Sequence, residues 1–160
     1  MGGKQTGRWL GFLLCVTCGD ALKGVLHILL VEDNRGDEFL IREALKEHQV
    51  LYELHVIRDG LEAERFIERL GSTDGYHCPD LLLLDLNLPK RSGLELLQLF
   101  RAHPVCGDTP VIVVTSSNAE RDRRQAAGLG ATRYFRKPTG LDDFVQLGAV
   151  IKEVFEENPA

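Results

Sequence analysis

Sulfur and the largest aromatics are scarce in this chain of 160 residues, which holds one methionine, one tryptophan and four cysteines. Cys15, Cys18, Cys78 and Cys106 are too few and too scattered for a disulfide scaffold. An apolar core must therefore hold the fold, and a reducing, cytoplasmic compartment is expected. No apolar run approaches the roughly 20 residues of a membrane span. Internal repeats and low-complexity tracts are absent. Positive charge is not in excess: 19 Lys and Arg against 24 Asp and Glu leave −5. Attraction of the whole molecule to nucleic acid or anionic lipid is therefore not expected. What is present is ordinary globular composition, 44% apolar and 27% charged, in a length that suits one domain of roughly 100–200 residues.

The first 24 residues differ from the rest. Met1–Gly24 is Gly-rich and patternless apart from Trp9–Val16, an apolar run behind Lys4 and Arg8 that imitates a short signal segment. Cys15 and Cys18 have metal or redox spacing, but no second pair completes a zinc site. This stretch reads as a loose N-terminal extension, with one domain over 25–157 and no output domain after it.

From residue 25 onward, short apolar runs alternate with helical patterns. The runs are His27–Val31, Tyr52–Ile57, Leu81–Leu84, Val111–Thr115 and Thr132–Phe135. Each is followed by a short polar residue with an acid three positions on: Asn34/Asp37, Asp59/Glu62, Ser92/Glu95, Ser117/Glu120 and Thr139/Asp142. Such pairs cap helices, because the first oxygen accepts from orphan N–H groups and the acid faces the positive end of the dipole. Apolar positions 41, 44, 45, then 63, 66, 67, 70, then 96, 97, 100 keep helical spacing. The expected fold is α/β, a flavodoxin-like (βα)5 doubly wound parallel sheet. Runs one, three and four are almost wholly apolar, while two and five carry polar residues. Interior strands are covered on both faces and edge strands are not, so the order is 2-1-3-4-5.

In such a sheet every strand ends on one side, and ligands bind there where the order reverses, between strands one and three. Glu32, Asp33, Asp85, Thr115 and Lys137 stand at those ends. Three convergent carboxylates repel unless a cation intervenes, and all-oxygen ligation suits Mg²⁺ or Mn²⁺. With a lysine and a hydroxyl added, the set forms a receptacle for a transferring phosphoryl group.

The motifs ILLVED (28–33), PDLLLLDLNLPKRSG (79–93), PVIVVTSS (110–117) and YFRKP (134–138) resemble those of bacterial response-regulator receiver domains. The likeness runs from about His27 to Phe155. The LNLPK and SG elements, behind a long Gly71–Pro79 loop, are similar to single-domain regulators that partner phytochrome-type histidine kinases. The resemblance implies that Asp85 accepts the phosphoryl group. It gives Asp33, Glu32, Asp85 and the Asn87 backbone carbonyl to the metal. Thr115 and Lys137 match the switch hydroxyl and the phosphoryl-binding lysine, and Ser116 the small residue beside the phosphoryl group. Tyr134 matches the aromatic that swings inward, and the Lys137–Pro138 bond is expected to be cis.

Two other readings are weaker. A pseudo-receiver that only binds proteins would not need the complete set of Asp33, Asp85, Thr115 and Lys137. A haloacid-dehalogenase-like phosphatase wants an acid two residues after its nucleophile, where this chain has Asn87. No Gly-rich loop follows the first strand, against a nucleotide site. Arg121, Arg123 and Arg124 alternate with Glu120 and Asp122 as on a solvated helix face, so no direct nucleic-acid contact is expected. The five histidines show no metal spacing and read as surface or edge residues. Leu141–Phe155 reads as a final helix with nine apolar residues of fifteen. Leu141, Val145 and Ala149 point away from the sheet-facing side, which favours a homodimer through the fourth and fifth strand-helix units.

Overall fold

A computed structural model describes residues 24–157. The Trp9–Val16 run and the Cys15/Cys18 pair lie outside the described residues. Five strands form one parallel sheet in the order β2-β1-β3-β4-β5, as expected. They are β1 (Leu26–Val31), β2 (Tyr52–Ile57), β3 (Leu81–Leu84), β4 (Val111–Thr115) and β5 (Arg133–Arg136). The helices are α1 (Arg35–Glu47), α2 (Gly60–Glu68), α3 (Gly93–Arg101), α4 (Glu120–Gly128), α5 (Leu141–Phe144) and α6 (Gln146–Glu157).

Side-chain alternation along the strands builds two cores. Leu29, Val31, Leu82, Leu84 and Val113 face α2, α3 and α4. Ile28, Leu30, Leu83, Ile112 and Val114 face α1, α5 and α6. All residues of β1, β3 and β4 are buried, whereas β2 and β5 are only partly covered. Burial on both faces is why the central runs are almost wholly apolar, with His27 and Thr115 their two polar residues. No helix among the described residues is long and apolar enough to cross a membrane.

Three caps form as expected. The Asn34, Asp59 and Ser92 side chains accept from the N–H groups of Asp37, Glu62 and Glu95, and Glu95 returns the bond to Ser92. The other two do not. Helix α4 starts at Glu120 behind Ala119, because the Ser117 hydroxyl donates to Asp122 and accepts from the Ala119 N–H at 3.3 Å. Helix α5 starts behind Gly140, with no side-chain cap.

The expected final helix is also divided, at Val145, into α5 and α6. Helix α6 then lies hard against α1: a Cβ on Gly148 would stand 2.5 Å from the Ala44 carbonyl oxygen. Only a glycine admits that approach. Phe144, Leu147, Ile151, Val154 and Phe155 face the sheet side as expected.

Two further expectations are corrected. Cys78 and Cys106 are not isolated thiols; they form a disulfide with Cα atoms 5.4 Å apart. The pair joins the loop before β3 to the loop before β4, at the amino-terminal end of the sheet. Nor are all histidines peripheral: His27 is buried in β1, whereas His55 lies on the edge strand β2 as expected and stacks on Phe66 with ring centroids 4.6 Å apart.

Candidate functional site

The site stands where β1 and β3 end side by side. The Asp85 N–H donates to the Val31 carbonyl at 3.0 Å, which fixes the start of the β3–α3 loop against β1. Glu32 is almost fully buried at 1% exposure and Asp85 at 5%, whereas Asp33 is exposed. Each of the three offers a carboxylate oxygen, and these oxygens lie within 4.8 Å of one another. The set is buried at its base and open at Asp33. Its hard oxygen donors suit Mg²⁺ or Mn²⁺ and do not suit a thiolate-seeking ion.

Glycine holds the loop that carries this site. A Cβ on Gly93 would come within 2.1 Å of the Asp85 carbonyl oxygen. The first residue of α3 therefore packs directly on the Asp85 backbone, and its N–H donates to the Leu86 carbonyl at 3.0 Å.

Lys137 enters from the end of β5. Its N–H donates to the Thr115 carbonyl at 2.8 Å, and its Nζ reaches Glu32 at 2.6 Å, Asp37 at 2.8 Å and Asp85 at 2.9 Å. The Lys137 side chain is 8% exposed. A buried ammonium shared by three carboxylates is held above the ordinary lysine range, although burial itself pulls the other way. Burial pushes the Glu32 carboxyl up to about 7, aided by the Asp85 charge and opposed by Lys137.

Asp37 is the member the sequence reading missed. It appeared there only as the capping acid of α1, and its N–H does bond the Asn34 side chain at 3.1 Å. Its carboxylate turns inward to Lys137. The signal lay in its place in the first turn of α1, directly after the end of β1, which sets it over the same end of the sheet.

Thr115 is fully buried at the end of β4. Its Oγ1 accepts from Asn87 Nδ2 at 3.4 Å and from the Ser117 N–H at 3.3 Å. Asn87 in turn donates its N–H to Asp85 Oδ1 at 3.0 Å. Tyr134 donates its hydroxyl to the Ser117 carbonyl at 3.2 Å, with the Arg123 guanidinium 4.6 Å from its ring centroid. The Ser117 backbone thus joins both hydroxyls, its N–H facing Thr115 and its carbonyl facing Tyr134. Ser116 is exposed just beyond β4.

The Lys137–Pro138 bond is trans, since the described residues contain no cis peptide bond. This corrects the expectation. Both anchors of Lys137, the backbone bond to Thr115 and the ammonium contacts, are satisfied with the trans bond, which X–Pro sequences favour by about 0.5–1 kcal/mol.

The family profile "Response regulator receiver domain" matches residues 28–148. Response regulator Rcp1 of Synechocystis sp. is 38% identical over 120 residues, which are 75% of this chain and 82% of that protein. The crystal structure of the phosphorylated cyanobacterial phytochrome response regulator RcpA has a TM-score of 0.74 at 36% identity, covering 86% of this chain and 97% of that one. The Mn²⁺-bound form of Rcp1 has a TM-score of 0.73 at 36% identity, covering 84% and 97%. With a profile match over most of its length, and a curated relative at this identity, the chain belongs to the response regulator receiver domain family.

Proposed function

We propose that a histidine kinase transfers a phosphoryl group to Asp85 of this chain. The observation that carries the proposal is the convergence of Lys137 Nζ and the Glu32 and Asp33 oxygens on the buried Asp85 carboxylate. An Asp85 oxygen attacks the phosphorus, and the kinase imidazole leaves. Glu32, Asp33, Asp85 and the Asn87 carbonyl would hold Mg²⁺ or Mn²⁺, which when bound neutralises charge on the phosphoryl oxygens. Rcp1 has been crystallised with Mn²⁺, and the donor set here has the same hard-oxygen character.

Lys137 exchanges part of its contact with the carboxylates for a phosphoryl oxygen. Ser116, small and exposed, leaves room beside it. Thr115 Oγ1 turns toward the phosphoryl group, so the Ser117 N–H loses its acceptor. Tyr134, bonded to the same residue's carbonyl, follows inward. That coupling is a population shift, since only the phosphorylated state offers Thr115 a new acceptor. Asn87 carries an amide and cannot supply the acid a phosphatase needs.

The relatives support a narrower reading. RcpA is a phytochrome response regulator, so a phytochrome-type kinase is the proposed phosphodonor. Output passes through protein contacts, including a homodimer on the β4–α4 and β5–α5 units.

Incubation with a small acyl phosphate and Mg²⁺, followed by intact mass, tests the assignment. One added phosphoryl group is expected, absent in Asp85→Asn. Full labelling of that variant would overturn it.

A further inference from the structure

The chain carries an excess of acid, yet one cleft at the active end of the sheet is basic. It measures about 230 Å³ and is lined by Arg35, Glu38, Phe39, Arg42 and Arg58. Its place follows from the backbone. Arg35 opens α1 two residues after Asp33, and Arg58 follows Ile57, whose carbonyl accepts from the Glu32 N–H at 3.0 Å. The cleft therefore opens beside the carboxylate cluster, on the outer side of α1.

Its charges do not balance. Glu38 is the sole acid in the lining and is shared: Arg42 Nη2 reaches its Oε1 at 3.0 Å and Arg58 Nη2 its Oε2 at 2.5 Å. Arg35 has no ion pair among the described residues. Three guanidiniums against one carboxylate leave two positive charges. Arg58 Nη1 is also buried with no hydrogen-bond partner among the described residues. A buried charged donor left unmade is costly, and a planar fork matches the paired oxygens of an oxyanion.

We propose that this cleft binds a phosphate-class dianion, held by Arg35, Arg42 and Arg58. A dianion cancels the two surplus charges and supplies an acceptor for Arg58 Nη1. The dianion has two possible sources, free inorganic phosphate and the phosphate end of a small acyl phosphate. Neither source requires phosphotransfer for binding. Failure of this site and failure of the Asp85 assignment are thus distinguishable.

The test is a titration of the full chain with inorganic phosphate in chelator, following arginine Nε–Hε resonances by NMR, with sodium chloride at matched ionic strength as control. Saturable shifts of Arg35, Arg42 and Arg58 are expected. Arg58→Ala should weaken binding at least about tenfold, as expected for one charge-assisted pair. Glu38→Gln should do the opposite and tighten it several-fold, because it removes the internal competitor. A merely structural role for Glu38 would not give that gain. Shifts equal to those with chloride, or no tightening in Glu38→Gln, would overturn the site. The second arm measures KM for acetyl phosphate in wild type and Arg58→Ala. A raised KM identifies the acyl phosphate as the occupant, and an unchanged KM identifies free phosphate.

Discussion

Lys137 and Asp85 lie 52 positions apart in sequence and meet at 2.9 Å. The same ammonium also binds Glu32 and Asp37, so one buried cation holds three acids at the mouth of the sheet. In the metal-free chain it is their principal counter-charge.

Removing that cation leaves buried carboxylates without compensation. Lys137→Ala is expected to destabilise the metal-free protein by about 3–5 kcal/mol, the range for breaking a buried pair from one side. Mg²⁺ should restore part of the loss. Urea denaturation with and without the ion measures both, and a variant as stable as wild type in chelator would refute the role.

Glu32 titrates near 7 in the metal-free protein because it is buried. Its folded pKa lies above the ordinary 4.5. Its contribution to metal-free stability is therefore full below about pH 4.5 and is lost as pH rises through about 7. Mg²⁺ needs the ionised form, so its affinity should rise with pH and level off above 7. Below that point the slope approaches about tenfold per pH unit if one proton must leave. Calorimetric titrations between pH 5.5 and 8 check this, with Glu32→Gln expected to flatten the profile.

The Cys78–Cys106 bridge closes a loop with a sequence separation of 28. Loop-closure entropy gives such a link about 3–4 kcal/mol at most. Non-reducing peptide mapping of air-purified protein should recover the bridged peptides. Reduction and Cys78→Ser should lower the Tm equally, with no further effect of reductant on the variant. Recovery of two free thiols would show that the pair is reduced under those conditions.

The exposed side of α5 bears on assembly. Leu141 is 51% exposed and Val145 half-buried, and both line a cleft with Glu43 and Glu47 of α1, so this side of α5 faces α1 and not the β4–α4 unit. Val145→Glu should leave the mass seen by sedimentation unchanged for a dimer on the β4–α4 and β5–α5 units, and a lowered mass would move the interface to the α1–α5 side. A wild type that stays monomeric up to about 100 µM would overturn the proposed dimer, since that lies well above a micromolar dissociation constant of roughly −8 kcal/mol.

The sequence alone determined the features written in near neighbours. Strand composition set which strands lie inside, because a strand covered on both faces admits few polar side chains. The caps at Asn34, Asp59 and Ser92 were legible because an oxygen and an N–H three residues apart meet wherever a helix starts. The Glu32, Asp33 and Asp85 cluster was legible because parallel strands bring their ends to one side. What depended on distant partners was decided by the tertiary structure. Asp37 joined the site only when β5 delivered Lys137, 100 positions away. Ser117 lost its cap role to Asp122 and Ala119. Cys78 met Cys106 only when two loops at the amino-terminal end of the sheet were packed together. Likewise, Gly148 brought α6 against α1. Local pattern specifies how a segment folds, but which groups share one charge or one bond depends on the packing of segments far apart in the chain.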